Sequence, residues 1–189
     1  MSSVYERTPD KESFRNRALV FVDIETTGLD ARVHEIIEIA CLVVDPKTLE
    51  VTGQYHARVQ PEHIETADPK ALEINGYSEE VWRDARPIGQ ALQEINELSP
   101  GAMFAGWNVG FDKEFIEKAA REKEMLLRYD YHWIDVMPMV YDRLFQDKRI
   151  GSLSLAQVCE ALGISLEKAH TATQDITATL AVYHFLKGV

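Results

Sequence analysis

The chain has 189 residues, of which 46% are hydrophobic and 27% charged, and its 20 Lys and Arg against 31 Asp and Glu give a formal charge of −11. That length suits one domain able to bury a core without disulfide or metal staples, and the acidic balance argues against a partner held mainly through many phosphate contacts. Nucleic acid stays open only where divalent ions reverse the local sign.

Residues 1–17 read as a polar N-terminal tail with no apolar stretch long enough for a signal peptide, and residues 18–189 as one domain. No run approaches the roughly 20 apolar residues of a membrane span, so the expectation is a soluble, cytoplasmic protein with no membrane partner. Cys41 and Cys159 sit in apolar-patterned segments without metal-ligand spacing, which predicts buried thiols in a reducing compartment.

The first strand is predicted from Leu19-Val20-Phe21-Val22, four consecutive apolar residues that end at Asp23. Residues 36–45, rich in β-branched side chains and stopped by Pro46, form the second, and Gln54 to Val59 a third. Three extended segments in succession predict an antiparallel meander. Thr66-Ala67-Asp68-Pro69 opens a helix that stops at Asn75-Gly76. Ile88, Ala91, Leu92, Ile95 and Leu98 recur at helical spacing, ahead of a fourth strand over 102–106. A helix over 112–123, a short strand over 132–135 and helices over 136–145, 154–162 and 173–186 complete the chain. Strands followed by alternating helices and strands predict an α/β fold, a mixed sheet flanked by helices.

Three segments carry chemistry. Side chains alternate along a strand, so Asp23 and Glu25 face one side while Ile24 enters the core. Two hard anionic oxygens aimed at one point suit Mg²⁺ or Mn²⁺, and the following Thr26-Thr27-Gly28-Leu29 turn brings backbone near a ligand. An ordinary strand end carries the same tripeptide, and short motifs often match by chance. In the second segment, Asn108 and Phe111 precede Asp112 at a helix start, where the dipole alone favours an anion. In the third, His170 stands before a helix of small residues that contains Asp175, and a capping role fits that histidine equally.

Together, Asp23-x-Glu25-Thr-Thr-Gly, Asn108-x-x-Phe111-Asp112-x-x-Phe115 and His170-x-Ala172-x-x-Asp175-x-x-Ala178-Thr179 resemble the three motifs of the DEDDh exonucleases. This ribonuclease-H-like group includes the proofreading epsilon subunit of bacterial DNA polymerase III, ribonuclease T and oligoribonuclease. The resemblance runs from about residue 18 to the C-terminus. It implies a ribonuclease-H-like sheet in which Asp23, Glu25, Asp112 and Asp175 bind two Mg²⁺ (or Mn²⁺) and His170 is the general base. The implied reaction is 3′-to-5′ release of nucleoside 5′-monophosphates from single-stranded DNA or RNA ends. The expected substrate contacts are Thr26 and Thr27 backbone, Leu29 against the terminal base, Asn108 and Phe111. RNA 3′-end trimming and a silent protein-binding module are the alternatives. Asn75-Gly76 departs from the His-Gly pair of the epsilon subunit. The chain stops at Val189, right after the last motif helix and without the tail by which the epsilon subunit reaches its polymerase, which favours a stand-alone enzyme or attachment to a DNA polymerase or repair complex by another surface.

Overall fold

Leu19–Val22 opens β1 (Leu19–Thr26), a strand buried on both faces over its first half. The computed structural model describes residues 3–6, 13–144, 146–166 and 171–188. β1 pairs antiparallel with β2 (Ile36–Val44), and β2 pairs antiparallel with β3 (Val51–Gln60), which is the expected meander. A two-residue strand, β4 (Arg86–Pro87), lies parallel to the end of β3. On the other side β1 pairs parallel with β5 (Met103–Gly106) and β5 with β6 (Asp130–Asp135), giving the order β4-β3-β2-β1-β5-β6.

Helices cover both faces. After α1 (Pro69–Ile74), capped by the Asp68 side chain, come α2 (Ile88–Leu98) and α3 (Gly110–Glu122), which bury Leu92, Ile95, Phe115 and Ile116 with Val20, Val22 and Ile24 of β1. α4 (Val136–Leu144), α5 (Leu155–Leu162) and α6 (Ala172–Lys187) cover the opposite face over Leu19 and Phe21. The even and odd positions of β1 thus enter separate halves of the core, as the period of two requires. Cys41 and Cys159 are buried free thiols.

Within the stretch expected as a tail, Val4 is buried and Tyr5 bridges Leu127. The Tyr5 hydroxyl donates to Glu117 at 2.8 Å and accepts from Trp133 Nε1 at 2.8 Å. Arg17 forms an ion pair with the buried Asp130. Tyr5 and Arg17 thus anchor that stretch to α3 and β6.

Candidate active site

β1 and β5 pair only from Leu19 to Phe21. The strands part at Gly106, where a Cβ would lie 2.9 Å from the Val22 carbonyl oxygen and 2.8 Å from Val109 Cγ2. Past that point the β5-facing edge of β1 needs another partner. Asp112 supplies it: its Oδ1 accepts the Ile24 N–H at 3.1 Å. The chain enters α3 through Asn108, which adopts the left-handed region at φ +53° and donates its N–H to Asp135 Oδ1 at 3.0 Å. This suits Asn, which tolerates that region better than most residues.

Asp23 and Glu25 project from the face of β1 covered by α6. Close approach is possible there because Ala172, Ala178 and Thr179 of α6 are small and buried. The helix carries Asp175 in its first turn, and one carboxylate oxygen from each of Asp23, Glu25 and Asp175 lies within 4.8 Å of the others. Three oxygen donors converge on one point, with the buried Asp112 behind them on β1's edge. That donor set fits a hard divalent cation.

The electrostatics show how strongly the cluster favours positive charge. Burial first, then Asp112, Asp175, Glu25 and Glu38, raise the Asp23 carboxyl well above its ordinary value. Burial, followed by repulsion from Asp175 and Glu38, pushes Glu25 up to about 7. Burial also raises Asp112, against the N–H groups of its own backbone and Ile24, with Asp135 and Glu25 adding repulsion. Like charges crowded in a low dielectric resist ionisation until a cation joins them.

Of the expected substrate contacts, Thr26 and Thr27 are buried and their side chains serve the turn itself. Thr26 Oγ1 donates to the Gly28 carbonyl at 2.7 Å, and Thr27 Oγ1 accepts the Glu35 N–H at 2.9 Å. Leu29 is 84% exposed beside them. Asn108 is exposed at the start of α3. Phe111 is partly buried: its ring packs on Phe115, 4.9 Å between centroids, against the core under α2 and α3. His170 lies outside the described residues.

Sequence reading missed Glu38, which is buried directly across from Glu25 in the β1–β2 register, with His56 Nε2 3.2 Å from its Oε1. The signal was a single charge inside Ile36-Ile37-Glu38-Ile39. It also missed Asp135, whose Oδ1 receives the N–H groups of Asn108 and Met137 and thereby ties β6 to the α3 entry.

A sequence profile of the RNase_T exonuclease family matches residues 20–183. The chain belongs to that family. That family is one of DEDD-type 3′-to-5′ exonucleases, and the chain's mixed sheet flanked by helices has the ribonuclease-H-like α/β fold. It is 29% identical over 171 residues to the PolC-type DNA polymerase III of Thermotoga petrophila and 28% identical over 171 residues to that of Streptococcus pneumoniae. Each match covers 90% of this chain but only 12% and 11% of the respective polymerases. Among solved structures, Escherichia coli exonuclease I in complex with a dT13 oligonucleotide shares the fold at a TM-score of 0.79 and 21% identity, over 90% of this chain and 41% of that one. Exonuclease I from Methylocaldum szegediense does so at 0.74 and 23%, over 91% and 40%.

Proposed function

We propose that this chain removes nucleotides one at a time from the 3′ end of single-stranded DNA, using two divalent cations, Mg²⁺ or Mn²⁺. The observation that carries the proposal is the convergence of Asp23, Glu25 and Asp175 oxygens within 4.8 Å, on a chain of the exonuclease family. When bound, the two cations balance four carboxylates and stabilise the attacking and leaving oxygens of an in-line displacement.

The residues divide the rest of the work. Asp23, Glu25 and Asp175 hold the cations, and Asp112 completes the acid set while fixing the Ile24 peptide. His170, by resemblance, takes the proton of the attacking water. The water oxygen bonds to phosphorus as the P–O3′ bond breaks, which leaves a 3′-hydroxyl on the shortened strand and a 5′-phosphate on the released nucleotide. The Thr26–Thr27 backbone receives the terminal sugar, and exposed Leu29 lies against its base. Stacking of that kind tolerates any base.

DNA is the preferred substrate because the matched relatives are DNA polymerases and the matched exonuclease I structure holds dT13. A DNA polymerase or repair complex is the corresponding partner class. The test is digestion of matched DNA and RNA single strands by one preparation, with Mg²⁺ or with a chelator. Faster metal-dependent loss of the DNA supports the proposal. Preference for the RNA would make it a 3′-end trimming enzyme, and intact strands under all conditions would leave a nuclease fold without this activity.

A further inference from the structure

The end of β1 is irregular where the proposed metal ligands leave it. Glu25 pairs with Glu38, but Thr26 pairs with Ile36, so the register slips by one residue and Ile37 bulges from β2. A bulge disrupts the ladder locally and leaves backbone groups in need of partners. Two side chains from one neighbouring unit meet that need. Asn75, the C-cap of α1, donates Nδ2–H to the Thr26 carbonyl at 2.9 Å, and Trp82 donates Nε1–H to the Ile37 carbonyl at 2.8 Å.

The Asn75 backbone is itself fixed. Its N–H bonds to Ala71, Gly76 turns the chain at φ +64°, and the Tyr77 N–H returns to Leu72. The start of α1 holds the next peptide, since the Asp68 N–H donates to the Thr27 carbonyl at 2.8 Å. Both carbonyls immediately after Glu25 are therefore set by the two ends of one short helix, and the side-chain half of that clamp is Asn75.

From this geometry we infer that Asn75 is a positioning residue: its amide fixes the Thr26 peptide and so holds the Glu25 carboxylate toward Asp23 and Asp175. The inference rests on the cation-dependent nuclease reading above and specifies one support of the same site. Partners that orient metal ligands typically contribute 10- to 100-fold to metal affinity or activity when removed, and a roughly tenfold weakening is expected here.

The experiment measures Mn²⁺ binding by calorimetry without nucleic acid, and separately the Mg²⁺ concentration that half-saturates strand degradation. The variants are Asn75→Asp, Asn75→Ala and Asn75→His. Aspartate matches the shape but cannot donate. Imidazole Nδ1 stands as many bonds from Cα as the asparagine Nδ2, so histidine restores a donor. Asn75→Asp and Asn75→Ala should weaken Mn²⁺ binding and raise the half-saturating Mg²⁺ about tenfold, with kcat at saturating metal changed less, and Asn75→His should recover most of the loss. Wild-type metal affinity in Asn75→Asp and Asn75→Ala, or a loss that tracks only their melting temperature and is not recovered by histidine, would overturn the inference. A wild-type protein that binds Mn²⁺ yet leaves nucleic acid intact would instead count against the nuclease reading.

Discussion

Removing divalent metal should make the fold less stable as pH rises from about 5 to 8, and Glu25→Gln should cancel much of that loss. In the folded protein Glu25 is raised from the ordinary 4.5 to about 7. Below about pH 4.5 both the folded and unfolded chains carry the proton. Between 4.5 and 7 only the folded chain keeps it, so stability declines through that window, and above 7 the full penalty is present. At roughly 1.4 kcal/mol per pKa unit the penalty is about 3 kcal/mol, to which the raised Asp23 and Asp112 add in the same direction. For a chain of this size each kcal/mol moves the melting temperature by roughly 2–4 °C. Calorimetric melts in chelator at pH 5, 6, 7 and 8 read the trend directly. Wild-type protein should melt lowest at pH 8, Glu25→Gln should melt several degrees above it there, and excess Mg²⁺ should restore the wild type by binding only the folded state. Metal-free wild type that is as stable at pH 8 as at pH 5, or a Glu25→Gln protein with no gain, would refute a repulsive carboxylate cluster.

Three further outcomes are expected. His170→Ala should lower kcat by about 10²- to 10⁴-fold and remove the acidic limb of the pH–rate profile; wild-type kcat with that limb intact would assign the base elsewhere. Gly106→Ala should cost roughly 1–3 kcal/mol in denaturant unfolding, because its Cβ meets the Val22 carbonyl at 2.9 Å; unchanged stability would contradict the close approach that lets Asp112 reach β1. Because the formal charge is −11, strand binding with Ca²⁺ in place of Mg²⁺ should show a salt slope of about one to three phosphates at about −0.7 each, and a slope that steepens with strand length would reveal an extended basic track.

Much of the site was legible because strand geometry is rigid. An apolar run ending in Asp23-Ile24-Glu25 admits one arrangement, two acids on one face and Ile24 in the core, and that is observed. The amphipathic period of α2 was equally plain in Ala91, Leu92 and Ile95. What escaped was set by tertiary contacts. β4 is two residues held by Val59↔Arg86 and Gln60↔Pro87, too short for any period. Residues 36–45 read as one buried strand, which hid Glu38 as a carboxylate beside Glu25. Asn75-Gly76 marked a helix end, but nothing local told that the amide crosses to Thr26.

The most direct measurement is a time course on a 5′-labelled single strand with Mg²⁺, alongside chelator and Asp23→Ala controls, the Asp23→Ala protein being checked as folded. Four acids converge around Asp23, and relieving like-charge repulsion does not threaten the fold. The wild-type enzyme should shorten the labelled strand stepwise from its 3′ end and release nucleoside 5′-monophosphates, while chelator and Asp23→Ala abolish the ladder. A labelled mononucleotide appearing at the outset, or a ladder that survives in Asp23→Ala, would contradict a 3′-to-5′ exonuclease built on these carboxylates.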